Sequence, residues 1–205
     1  MERRRIIGIA VSVIMVMVFA AGCSSTKVKR IKGDEVIDFS GRWNDTDSKM
    51  VAKEMIDTSL GEGFWLSNFM EKYHRTPVVI VGTIMNKSYE HINSELFTKD
   101  LERSLLKSGR VKFVASRQER GEVREERNDQ HQGYTSAETR KAIGKETGAD
   151  FMLIGSINSI KDETRGRYLI FYEVNLELVD LENNEKVWIG QKNIRKVVTR
   201  NKYSL

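Results

Sequence analysis

The run Val78-Val79-Ile80-Val81 constrains this chain more than any other feature. It is β-branched without interruption, and it follows Pro77, the only proline. A strand apolar on successive residues has no wet face, so it belongs inside a sheet buried on both sides. Phe151-Met152-Leu153-Ile154 reads as a second central run. Tyr168 to Asp180 behaves differently: Val174, Leu176 and Leu178 alternate with Glu173, Asn175 and Glu177. That alternation predicts a strand with one solvated face. Glu182-Asn183-Asn184-Glu185 has turn composition, and Val187-Trp188-Ile189 returns as the hairpin partner.

Helical periodicity fills the intervals. After Asn44-Asp45-Thr46-Asp47, all helix-starting types, Val51, Ala52, Met55, Ile56 and Leu60 share one face. Gly61-Glu62-Gly63 breaks that helix, and a shorter one comes next with Trp65, Phe69 and Tyr73 in line. Asn93 to Ser108 aligns Phe97, Leu101 and Leu105, with Gly109 as the stop. Val111 to Ala115 reads as a short strand. Ser116 with Glu119, and Thr135 with Glu138, both have capping-box spacing, which predicts two more helices. The first carries almost nothing apolar beyond Val123 and should lie exposed; the second should end at Gly148. The resulting order is α-α-β-α-β-α-α-β-β-β. It implies an α/β fold of α+β character: a single small domain with a mixed sheet of about four to five strands and helices packed on it.

The N-terminus has a different grammar. Arg3-Arg4-Arg5 precedes an uncharged run from Ile6 to Phe19, then Ala20-Ala21-Gly22-Cys23. Charge, apolar core and small residues in that order make a secretory signal. The small residues suit a peptidase cleft, with cleavage expected between Gly22 and Cys23. The Cys23 thiol is the one nucleophile able to carry a diacylglycerol. The motif resembles the lipobox of bacterial lipoproteins, with Ala20 where Leu is usual. An uncleaved membrane helix is the competing reading, because the run sits near the short end of the roughly 17–25 residues needed to span. Cys23 is the only cysteine, and Ser24-Ser25-Thr26-Lys27 after it is unlike a core. The expected layout is therefore a signal peptide over 1–22, a lipidated tether over 23–38 and a globular domain over 39–205. A tether of about 15 residues reaches about 50 Å at most.

Cleavage takes the formal net charge from +5 to about +3. That charge is mild and evenly spread, which argues against a nucleic-acid binder. With its one cysteine lipidated, the chain has no intrachain disulfide and must be held by packing.

Residues with catalytic potential are few. His74, His91 and His131 have no second ligand at metal-binding spacing, and neither a nucleophile elbow nor a phosphate loop is present. The loop Asp129 to Tyr134, with His131 and Tyr134, is the best place for a small site, though an ordinary surface loop is the favoured reading. No catalytic residue, metal or cofactor is expected beyond the covalent lipid. After Glu185 the chain has basic residues and no acidic ones, among them Lys192, Arg195, Lys196, Arg200 and Lys202. Two readings stay open. Arg195, Lys196 and Arg200 form a docking patch for an acidic partner, anionic lipid or an acidic wall polymer, or they blunt an edge strand against aggregation.

Three motifs carry a family resemblance: Phe39-Ser40-Gly41-Arg42-Trp43-Asn44-Asp45-Thr46-Asp47-Ser48, Gly148 to Ile157, and Glu185-Lys186-Val187-Trp188. Together they resemble LpoB-type lipoproteins over about residues 39 to 192. The second motif is also similar to curli-export lipoproteins of the CsgG type and to the N-terminal domain of TolB. The resemblance implies a TolB N-terminal-domain-like fold. It further implies an outer-membrane lipoprotein, facing the periplasm, that binds and stimulates a class A penicillin-binding protein without performing chemistry itself. Ser24 after the lipidated cysteine agrees with outer-membrane sorting. The long proline-rich tether of known activators is absent here. The alternative is a CsgG-like secretion component, or an envelope scaffold; the first would need paired membrane-spanning β segments, which the sequence lacks. Trp43, just ahead of a helix start, is expected to staple against Val51 or a neighbour.

Overall fold

A computed structural model describes residues 28–32 and 35–199. The expected cleavage site at Gly22 and Cys23, and Arg200 and Lys202, lie outside the described residues. The chain divides into a unit at 1–35 and a unit from Val36 onward. The second unit carries the sheet and its helices.

The apolar runs pair into one five-stranded sheet of order β2-β1-β3-β4-β5. Its strands are β1 (Val78–Lys87), β2 (Lys112–Phe113), β3 (Phe151–Thr164), β4 (Arg167–Asp180) and β5 (Lys186–Thr199). β1 pairs in parallel with both β2 and β3, while β3, β4 and β5 form an antiparallel meander. The parallel pairs follow from long crossovers, and the antiparallel ones from tight turns. Gly166, at φ 79°, closes the turn between β3 and β4, a left-handed conformation that costs glycine nothing.

Four α-helices stand among the described residues: α1 (Asp45–Glu62), α2 (Phe64–Tyr73), α3 (Ser94–Ser108) and α4 (Arg117–Asp129). α1 packs on α3 and β5, α3 packs on β1, and α2 lays Trp65 and Phe69 edge-on against Phe151. These three helices share one face of the sheet. The core between them includes Phe97, Leu101, Leu153, Ile157, Tyr172 and Leu176, all buried. A Cβ on Gly190 would stand 2.3 Å from the Trp188 ring of the same strand and 3.1 Å from Met55 Cε, where α1 approaches β5. The run Val78 to Val81 is fully buried, as its composition requires. Met152 and Ile154 in the second run are half-buried, because they point to the face opposite the helices. On that same open face Met85, Ile160, Ile189 and Val197 are at least half exposed.

The structure corrects one expected element. No helix follows Thr135: residues 135–150 contain only turns, with one loop closed by the Thr139 and Arg140 amides donating to the Ser136 carbonyl. A capping signal stabilises a helix start but not a helix, and this segment offers no apolar face to bury. Ile143 is 60% exposed and Gly144 adopts a φ of 79°. Instead α4 runs into a π-type turn, Gln130–Tyr134, broken by Gly133 at φ 99°. The closing strands are also longer than their apolar runs. β3 and β5 extend to Thr164 and Thr199 through residues that mix polar side chains with exposed Ile160 and Val197 on the open face.

Candidate interaction surface

The segment before α1 is pinned to the far end of β5. Asn44 caps α1 in a capping box with Asp47. Asp47 also accepts a 2.6 Å hydrogen bond from Lys196 Nζ, which in turn donates to Asp38 and to the Arg42 carbonyl. Burial works against the Lys196 charge, but the hydrogen bonds to Asp38 and Asp47 outweigh it and hold its pKa above the ordinary value. The same ammonium holds the Asp38 carboxyl below its usual range. Tyr168 adds a hydrogen bond from its hydroxyl to the Ser40 carbonyl.

Trp43 seats this segment in the core. Its indole N–H donates to Ser48 Oγ at 2.8 Å, and its ring stands edge-on to Phe97 and Tyr172. Its backbone N–H and the Tyr172 hydroxyl both donate to Glu90 Oε2. Glu90 Oε1 is buried without a hydrogen-bond partner. Burial pushes the Tyr172 phenol well above its usual range, and the Glu90 carboxylate adds to the shift. The staple therefore exists, but Trp43 meets Ser48, Phe97 and Tyr172.

The basic candidates do not form one patch. Arg195 and Lys196 point to opposite faces of β5: Arg195 lies over the Phe171 ring at 5.5 Å on the open face, while Lys196 is enclosed by the N-terminal segment. Lys192 pairs with Glu54 of α1. β5 is an edge strand carrying inward-pointing lysines, the arrangement that discourages edge-to-edge pairing. His74 is the left-handed residue that ends α2, and His131 Nε2 meets the Lys141 carbonyl in an exposed loop. Tyr134 is 92% exposed. Among the described residues no cluster of His, Cys, Asp or Glu could hold a metal, and no helix is long and apolar enough to cross a membrane.

A concavity lies at the other end of β5. A groove of about 700 Å³ runs between α2 and the β4–β5 turn. Trp65, Phe69, Phe151 and Val187 form its floor, and Glu62, Phe64, Asp180 and Glu185 stand on its rim. Phe64 is 81% exposed. Periodicity marks Trp65 and Phe69 as core and passes over Phe64; an aromatic off the apolar stripe was the available signal.

A family model described as the peptidoglycan-synthase activator LpoB matches residues 47–194. No curated protein sequence matches the chain. Among solved structures it is similar to the LpoB C-terminal domain from Salmonella enterica, at 17% identity over 63% of this chain and 91% of that one, with a TM-score of 0.36. The solution structure of Escherichia coli LpoB gives 14% identity over 88% and 84%, with a TM-score of 0.38. A lipoprotein from Neisseria meningitidis gives 17% over 59% and 83%, also at 0.38. The assignment rests on the family match, which runs from the first turn of α1 to the middle of β5 and takes in every strand of the sheet. The chain belongs to the LpoB family of peptidoglycan-synthase activators.

Proposed function

We propose that this chain is an outer-membrane lipoprotein that binds a class A penicillin-binding protein and stimulates it. In this reading the signal peptide over 1–22 is removed and lipid on Cys23 anchors the chain at the periplasmic face. Residues 23–38 form the tether and 39–205 the domain that meets the synthase. The observation that carries the reading is the activator-family match over 47–194, which coincides with the sheet and the helices packed on it. The domain works as a binding body with no chemistry or cofactor of its own, and the synthase supplies the reaction. Two carboxylates on Lys196 and the seating of Trp43 fasten the domain to the segment through which the anchor holds it.

The test is capture from membranes of the source bacterium, with the intact lipoprotein as bait and mass spectrometry of what co-elutes. Enrichment of a class A synthase, together with a faster glycan-polymerisation rate on adding the lipoprotein, supports the reading. Capture of an outer-membrane export complex without a synthase overturns it. The anchor is tested separately. Cys23→Ser should abolish labelling by radioactive palmitate and release the protein from the outer-membrane fraction; unchanged labelling would contradict lipidation at Cys23.

A further inference from the structure

The groove and the anchor segment lie at opposite ends of one strand. Lys196 fixes Asp38 and Asp47 near the end of β5, whereas Lys186 and Val187 begin β5 beside the groove. The ten residues from Lys186 to Lys196 span about 33 Å in a strand. The groove therefore lies about 33 Å along β5 from the contacts that fix the N-terminal segment.

The groove has its own chemistry. Its floor is apolar, with Trp65, Phe69 and Phe151 each less than one-tenth exposed. Phe64 stands on the rim in water, the arrangement of an interface anchor without its partner. The rim charge is acidic on a chain whose formal net charge is +5. Glu62, Asp180 and Glu185 face the groove, and Glu62 makes no ion pair among the described residues. Lys72, over the Tyr73 ring at 4.8 Å, and Lys186, paired with Glu177 at 2.8 Å, also line it, so its three carboxylates exceed its two ammonium groups by one. An acidic rim repels anionic lipid, and a neutral glycan draws nothing from these charges. It complements a protein segment that sets lysine or arginine beside an apolar side chain.

We infer that this groove is where the synthase docks, through a basic segment with an apolar anchor that covers Phe64. The inference rests on the activator reading and names the surface that performs it.

The test uses the intact lipoprotein and the purified class A synthase of the same bacterium, with affinity read by biolayer interferometry. Phe64→Ala removes an exposed ring, so the fold stands. Glu62→Lys places a cation at the C-terminal end of α1, where the helix dipole favours it, so lost binding cannot be mistaken for lost stability. Each should weaken the complex at least tenfold, on the order of what a hot-spot truncation does. The Glu62→Lys deficit should shrink as salt rises from about 50 to about 500 mM, as screening requires. Ile189→Ala on the open sheet face should leave affinity unchanged. Wild-type binding that both groove variants retain overturns the groove and leaves the activator reading intact. Failure of the wild-type protein to bind overturns both.

Discussion

Trp43 and Lys196 show how few side chains hold the N-terminal segment. Trp43 contributes an indole hydrogen bond and two edge-to-face ring contacts. Trp43→Ala should cost about 3 kcal/mol, and Trp43→Phe clearly less, because a ring remains. Urea unfolding followed by far-UV circular dichroism measures both. Lys196 matters differently. Its side chain is 12% exposed and faces Asp47 at 7%, so Lys196→Met strands a buried carboxylate. The expected loss is about 3 kcal/mol, and Asp38→Asn should cost much less, since Asp38 is more exposed. Equal losses for the two variants would show that Asp47 does not depend on Lys196. Tyr172 sets an alkaline limit. Its phenol stays protonated in the fold well above the value of 10.0 at which an unfolded tyrosine ionises. Stability is therefore intact below pH 10 and falls as pH rises beyond it. Tyr172→Phe should flatten that fall and, by taking a donor from Glu90, cost about 1–2 kcal/mol at neutral pH.

At the scale of elements, α4 is the least secured. It buries no residue. Its attachments are polar: Lys99 with Glu119, and Arg124 and Arg127 with Glu146. Lys99 and the Ser116 cap hold the Glu119 carboxyl down at about 2, and Arg124 and Arg127 do the same for Glu146. A lowered carboxylate pKa stabilises above the unfolded value of 4.5 and stops doing so as pH falls toward 2. Amides of residues 117–134 should therefore exchange faster than those of β3 and β4 at neutral pH, and the gap should widen between pH 4.5 and 2. Hydrogen exchange read by mass spectrometry checks this, and equal protection of α4 and β4 at about pH 3 would contradict it. The same segment shows where sequence reasoning stops. The Ser116–Glu119 box and the Thr135–Glu138 spacing look alike as strings, yet only the first starts a helix. The difference lies in the tertiary neighbours of each. Glu119 closes its box and also gains Lys99 from α3, whereas the stretch after Thr135 is tied back through Lys141 and Glu146 along an irregular path that turns at Gly144.

For the whole molecule, the lower boundary of the domain is the testable quantity. The unit beginning at Val36 includes the Asp38, Ser40 and Trp43 contacts. A chain starting at Val36 should melt within a degree or two of one starting at Cys23. One starting at Asn44 loses all three contacts and should melt roughly 10 °C lower. Differential scanning calorimetry distinguishes them, and coincident melts would place the boundary after Trp43.

Local chemistry determined much of this protein by itself. The β-branched run at Val78, the alternation through Val174, Leu176 and Leu178, and the helical spacing of Val51, Met55 and Phe97 each dictate an element and its buried face. Such patterns need only neighbours in the chain, and the mixed sheet with its closing hairpin follows from their order. The family motifs were legible for the same reason. Tertiary structure alone decided the rest. Arg195 and Lys196 are adjacent basic residues in the string, but a strand sends them to opposite faces, one onto Phe171 and the other into a pair of carboxylates. The groove needs Glu62 and Phe64, Phe151, and Asp180 to Val187 together. Contacts between residues this far apart have no periodicity to announce them, because sheet pairing and helix packing, not local sequence, bring them together.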